Sequence, residues 1–337
     1  MLERSQFICE TPVVPQCHAP TLTECDGVLL AAFFGGTREG APDVGIWLAR
    51  DAGAGWSEPK RVVDAHDAQG RIWPCWNPVL FRPAGEPLFL FYKLGPDPAD
   101  WWGMWMHSTD RGLSWSRPEP LPRGILGPIK NKPITLSSGA WLCPSSTEHA
   151  GWRVHLERTD DSGRCWRRIG PLNDDRAWAA IQPSIVCYPS GWMQLLCRTQ
   201  QGCIAECWSV DGGEHWTPMQ ATPLPNPCSG TDAVSLSDGR VLLVYNHARL
   251  GGRGFWGPRS PLNVALTEDG VLWQAAGVLE DAPGEYSYPA VIQTRDGRVH
   301  VAYTWRRERI RHAVLDPRAL EPVPMPEGRW PAKLARR

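Results

Sequence analysis

One eight-residue pattern recurs along the chain and limits what it can fold into: Ser or Thr, any residue, Asp, any, Gly, any, any, Trp. It reads STDRGLSW from Ser108 to Trp115, TDDSGRCW from Thr159 to Trp166 and SVDGGEHW from Ser209 to Trp216. Degraded copies run from Ala49 to Trp56 (ARDAGAGW) and from Thr267 to Trp273 (TEDGVLW). These residue types suit a tight hairpin. The Asp accepts hydrogen bonds from backbone N–H groups of its own turn, the Gly supplies a positive φ, and the Trp packs back between sheets. The aspartates Asp51, Asp110, Asp161, Asp211 and Asp269 are 59, 51, 50 and 58 residues apart. A four-stranded propeller blade takes about 40–50 residues, so the spacing predicts blades with modest loops.

A second repeat precedes each hairpin: a strand, a turn with Gly, and a second strand. Copies begin at His18, Trp76, Asn131, Ile181, Thr231 and Ser287. Five carry Pro near the start of the strand and the fifth in order has Ala233 there. Six copies predict an all-β, six-bladed propeller of four antiparallel strands per blade, formed by residues 1–316. The sixth blade lacks its outer strand, so residues 1–15, with a strand near Ser5–Glu10, are expected to close the ring and remove its free edge. Residues 317–337 read as a Pro- and Arg-containing tail.

Composition agrees with strands and turns. The 33 Gly and 33 Pro in 337 residues oppose long helices. The formal charge of -1, from 35 basic and 36 acidic side chains, excludes a broadly basic nucleic-acid binder. No apolar run reaches the ~18 residues of a membrane helix, and the N-terminus shows no signal-peptide pattern. The 11 cysteines lack metal-ligand spacing. The expectation is a cytoplasmic protein with reduced thiols, no metal, no cofactor, and neither nucleic-acid nor membrane partners.

The inner strand of each blade lines the axis, so the residues just before each Pro should crowd one mouth. They are Ala19, Asn77, Lys132, Gln182, Asp232 and Tyr288, preceded by His18, Trp76, Asn131, Ile181, Thr231 and Ser287. Loops after the second strands bring Arg38, Glu39, Asp43, Lys93, Glu148, Arg198, Asn246 with His247, and Arg306 with Arg307 to the same place. A mouth holding Arg38, Lys132, Arg198 and Arg306 favours an anionic ligand. Trp and Tyr side chains suit the apolar face of a sugar, so the expected partner is a small carbohydrate.

The hairpin pattern resembles the Asp box of the sialidase superfamily, and the six-fold repeat extends the resemblance from His18 to Asp316. The resemblance implies a propeller that cleaves a terminal sialic acid. It implies an arginine triad gripping a carboxylate, a tyrosine nucleophile activated by a glutamate, and an aspartate acid/base in a first-blade loop. The matching positions are Tyr288 for the tyrosine, with Tyr286 as alternative, Asp43 for the acid, with Glu39 second, and Arg198 and Arg306 for two arginines. Glu206, or Glu285, would activate the tyrosine. Gln182, Lys132, Asp232 and Arg38 would complete substrate binding. One departure stands out: where sialidases carry Arg-Ile-Pro at the first blade, this chain has His18-Ala19-Pro20, and His lacks the guanidinium fork.

Three readings follow. In the first, the protein is a sialidase-like exo-glycosidase. In the second, it is a lyase or other enzyme on uronic-acid sugars, with His18 or Tyr288 taking the proton beside the carboxylate. In the third, it is a binding propeller without catalysis.

Overall fold

The computed structural model describes residues 1–64, 66–67, 69–251 and 256–334. The last three residues of the expected tail lie outside that set. Six sheets follow one another around an axis. Blade one comprises Gln16–Cys25, Val28–Gly36, Gly45–Asp51 and Lys60–Val63; blade two, Cys75–Phe81, Leu88–Leu94, Trp102–Ser108 and Glu119–Pro120. Blade three comprises Ile134–Thr135, Trp141–Thr147, Arg153–Thr159 and Arg167–Ile169; blade four, Ala180–Cys187, Met193–Thr199, Cys203–Ser209 and Gln220–Pro225. Blade five comprises Asp232–Ser235, Val241–Tyr245, Leu262–Thr267 and Gln274–Glu280. It gains a short fifth strand from the C-terminal segment, Val323–Pro324 against Gln274 and Ala275. Blade six comprises Tyr286–Gln293, Val299–Trp305 and Arg309–Leu315, and Leu2–Phe7 is its outer strand.

The closure therefore forms as the repeat count requires, three residues earlier than expected. Phe7 pairs with Arg311, and the Ile8 N–H still reaches the Ile310 carbonyl at 3.0 Å before the chain leaves the sheet.

The core is divided into layers between blades. One apolar cluster joins blades one and two through Leu30, Ile46, Leu90 and Tyr92, and another joins blades six and one through Ala302, Ile310, Leu22 and Phe33. The same holds at the other four junctions. This arrangement explains the hairpin glycines. Each has a positive φ, and all but Gly53 also lie against the preceding blade: a Cβ on Gly213 would stand 2.7 Å from Leu142, and one on Gly112 would meet Leu30. The aspartate closes the same turn from inside. Asp110 Oδ1 accepts the N–H groups of Leu113 and Ser114 at 3.0 and 2.9 Å, and the Ser108 hydroxyl accepts the Gly112 N–H at 2.8 Å. The shortened copy makes the same bonds through Thr267 and Asp269.

Between blades six and one, His300 and His312 stack with ring nitrogens 2.9 Å apart, and Trp56 Nε1–H donates to His312 Nδ1 at 3.1 Å. Burial lowers both imidazoles, His312 to about 3. No helix among the described residues is long and apolar enough to cross a membrane.

Two outcomes follow from this frame. Deleting residues 1–10 exposes the edge of Arg309–Leu315, so thermal unfolding should become less cooperative and size-exclusion chromatography should show self-association. The buried histidines make stability depend on pH. Unfolding returns each ring to an ordinary value near 6.5, so below that pH the unfolded chain takes up protons that the folded chain refuses. Stability is full above about pH 6.5 and is lost as pH falls toward the folded values. At pH 5 the loss is about 2 kcal/mol for a fully buried ring. The melting temperature should fall between pH 7 and 5, and less steeply in His312→Gln.

Candidate active site

A local backbone device builds the mouth. In blades one, two, four and six the residue before the proline has a positive φ: Ala19 at 50°, Asn77 at 38°, Gln182 at 55° and Tyr288 at 53°. The inner strand breaks register with its neighbour at each of these places. For non-glycine residues this conformation costs of order 1–3 kcal/mol and is characteristic of functional sites. It interrupts the strict alternation of the strand. Tyr286 and Tyr288 would otherwise share a face; instead Tyr286 is buried in the layer between blades five and six, and Tyr288 lies half-buried at the axis. Tyr286 is thus a core residue and not the alternative tyrosine of the mouth.

Tyr288 stands in a ring of cations. Its hydroxyl receives Arg198 Nη1–H at 2.7 Å, with Gln182 Nε2 at 3.5 Å, and Gln182 Oε1 accepts from the same Arg198 nitrogen at 3.1 Å. The Arg198, Arg259 and Lys130 charges lie 5.7, 5.5 and 5.8 Å from the phenol ring centre. The His18 imidazole leans on that ring with centroids 4.2 Å apart. Thr304 Oγ1 accepts the Ala19 N–H at 3.2 Å and is 2.8 Å from His18 Nδ1. The other ring nitrogen, Nε2, is buried without a partner among the described residues. Burial first, then Arg307, Arg259, Arg198 and Lys130, hold the imidazole well below its ordinary value and neutral.

Two further layers complete the pocket. Arg198 is 1% exposed and lies between the Trp152 and Trp256 rings, 5.2 and 4.8 Å from their centres. Glu285 holds both remaining guanidinium groups, Arg307 Nε at 3.1 Å and Arg259 Nη1 at 3.5 Å; Arg307 also binds Glu39. Glu148 lies beside Arg198 and Trp152, and burial raises its carboxyl above the ordinary range.

Several expected positions fall elsewhere. Lys132 and Asp232 do not face the mouth: Lys132 Nζ binds both Asp232 oxygens at 3.1 and 3.0 Å and the Ala233 carbonyl at 2.8 Å. In blades three and five the positive φ belongs to Lys130 and Cys228, upstream of the expected register, so Lys132 and Asp232 sit level with Ser184 and Val291 further down the axis. Glu206 is on the third strand of blade four, bound by Gln194 and Gln220. Two strand spacings of about 4.8 Å separate it from the inner strand, so it cannot serve Tyr288. Arg306 is exposed over Trp305, and the next residue, Arg307, turns inward instead. Arg38 is exposed on its loop. Asp43 lies in the expected loop, but its carboxylate is spent on Thr37, accepting the N–H at 2.8 Å and the hydroxyl at 2.6 Å, and these bonds hold it below its ordinary range. The sequence reading did not find Arg259, which lies in the non-repeating stretch before the third strand of blade five, or Lys130.

The family model of the BNR repeat-like domain matches residues 27–301. The chain belongs to this family. Its propeller is sialidase-like in fold. The NanB sialidase from Streptococcus pneumoniae superposes with a TM-score of 0.75 at 15% identity, over 95% of this chain and 71% of that one. The leech intramolecular trans-sialidase gives 0.69 at 15%, over 94% and 70%, and a protein of unknown function from Dyadobacter fermentans gives 0.72 at 19%, over 92% and 98%. Among curated proteins, the anhydrosialidase of Macrobdella decora is 24% identical over 230 residues, 60% of this chain but 30% of the length of that relative.

In this BNR propeller the Lys132–Asp232 pair is structural, and removing one partner strands the other. Lys132→Met should lower unfolding free energy by about 3 kcal/mol, read by denaturant titration, with a larger effect than Arg306→Met at the rim.

Proposed function

We propose that this propeller is a sialidase-type exo-glycosidase acting on the terminal acidic sugar of a small glycan. The observation that carries the reading is the convergence of Arg198, Arg259 and Arg307 around Tyr288 and His18. The resemblance seen in the sequence and the anhydrosialidase relative support it. The arginines hold the sugar carboxylate. The phenol first gives its proton to water, Arg198 Nη1–H holding the phenolate oxygen, and the Tyr288 oxygen then bonds to the anomeric carbon as the glycosidic C–O bond breaks. Among the carboxyls of the mouth, Glu148 has the raised value a proton donor needs, whereas Asp43 is held ionised. Glu148 therefore gives its proton to the leaving oxygen. Water then attacks the anomeric carbon, returns a proton to Glu148 and frees Tyr288.

One observation favours a second reading. No carboxylate among the described residues hydrogen-bonds Tyr288; the neighbour is the amide Gln182. An amide cannot accept the phenol proton. Elimination on a uronic acid needs no partner carboxylate in the step itself: Tyr288 as phenolate, held by Arg198 Nη1–H, takes the proton next to the sugar carboxylate and gives it to the departing glycosidic oxygen as the double bond forms, with the arginines holding the charge that builds on the carboxylate. A product with ultraviolet absorbance from a new double bond marks that outcome, and release of a chromophore from sialyl or uronyl glycosides marks hydrolysis.

Tyr288→Phe should lower kcat by at least a thousandfold in either case while sugar binding persists, because it removes one hydroxyl and leaves the ring packed on His18. Gln182→Glu places a base beside the phenol and should raise hydrolysis tenfold or more. Unchanged turnover in Tyr288→Phe would sink both readings.

A further inference from the structure

A groove of about 280 Å³ lies on the mouth face between blades two and three. Trp101 lines it from the loop after the second strand of blade two, Trp102 from the start of the third strand, and Arg123 from the link between the blades. Thr147 and His149 flank the end of the second strand of blade three, and Arg168 comes from that blade's outer strand. None of its lining residues is acidic. The walls are fixed before any ligand arrives. Trp101 meets Trp76 edge-on at 6.1 Å, Trp102 meets Trp73 edge-on at 5.9 Å, and Arg168 Nη2–H donates to His155 Nδ1 at 3.2 Å.

One short stretch of chain joins this groove to the Tyr288 site. Ser146 Oγ accepts the N–H of Gln182 at 3.2 Å, and the Gln182 side chain faces the Tyr288 hydroxyl. Glu148, beside Arg198, is two residues further on, and Thr147 and His149 on either side of it line the groove. An extended chain advances ~3.3 Å per residue, so the groove begins within roughly 10 Å of the groups that contact Tyr288. The next sugar along a glycan reaches that far.

We propose that this groove is a second sugar subsite, which takes an anionic sugar residue on the leaving-group side of the bond that is cut. The assignment rests on the acidic-glycan reading above. Indole rings cover the apolar face of a sugar. Arg123 and Arg168 offer guanidinium forks to a carboxylate or sulfate, and the lack of any lining acid leaves those charges for the ligand. Because the indoles are already held by Trp76 and Trp73, little side-chain ordering is lost on binding.

The test uses the full chain as Tyr288→Phe, which binds without turnover, and isothermal titration calorimetry. One set of probes is sialic acid, sialyllactose and α2,8-linked disialic acid; the other is galacturonic acid and digalacturonic acid. In the set that binds, the sugar with an anionic second residue should bind at least tenfold more tightly than its monosaccharide, and sialyllactose should gain less. Arg123→Glu, a surface change, should bring that ratio near one, and Trp102→Leu should reduce it in the same direction. If monosaccharide and disaccharide bind equally, the subsite is wrong and the acidic-sugar reading stands. A full gain retained in Arg123→Glu also overturns it. If no sugar in either set binds, both fall together.

Discussion

The carboxylate of Asp232 is the joint on which the mouth depends. It takes Lys132 from blade three on both oxygens, the Ser184 hydroxyl from blade four at 3.1 Å and the Val291 N–H from blade six at 2.9 Å. Its neighbours in sequence along blade three do the same work one layer higher. Lys130 Nζ donates to Asn131 Oδ1 and to the carbonyls of Thr231 and Pro289, and Asn131 Nδ2 reaches Gln182 O, Pro183 O and the Ser184 hydroxyl. A three-residue run thus fills the axis with satisfied polar groups and ties three other blades to itself. Inner strands expose backbone groups around an axis that no apolar side chain could satisfy; a charged plug with many donors can.

That plug also fixes what the pocket above it can bind. Lys130 is fully hydrogen-bonded beneath the Tyr288 ring, none of its bonds goes to a carboxylate, and burial lowers its ammonium to about 7. Arg259 and Arg307 share Glu285. Arg198 has weaker compensation: its partners are Gln182, Tyr288, the Cys228 sulfur and two indole faces, and its Nε–H is buried without an acceptor among the described residues. A buried guanidinium paired in this way is costly. An anionic ligand would remove part of that cost, which is the physical basis of the acidic-sugar proposal.

The fold was legible because five of the six blades meet the same conditions: a turn with Gly, an Asp inside it, and an alternating strand on either side. Those conditions leave a repeat. The mouth was legible only where the repeat still governs it. His18, Gln182, Arg198 and Tyr288 share the site because blades one, four and six keep the bulge before the proline. Lys132 and Asp232 were misplaced because blades three and five move the left-handed residue upstream, a change of φ with no residue signature. Arg306 and Arg307 both have positive φ, 54° and 58°, and spacing does not say which of two adjacent arginines turns inward. Arg259 belongs to a loop without counterpart in other blades, so no comparison along the chain identifies it.

The missing arginine of the first blade can be understood in the same terms. A guanidinium at His18 would add a cation beside Arg198, Arg259, Arg307 and Lys130, all of which already lower the imidazole. Like charges in a buried space oppose one another, and the position is 2% exposed. A neutral imidazole packed on Tyr288 avoids that repulsion. Arg307 enters from the turn of blade six, anchored by Glu39 and Glu285 on opposite sides, and brings a third guanidinium to the pocket by another route. The positive charge of the pocket is thus retained while its geometry is changed, with a guanidinium entering from blade six rather than blade one.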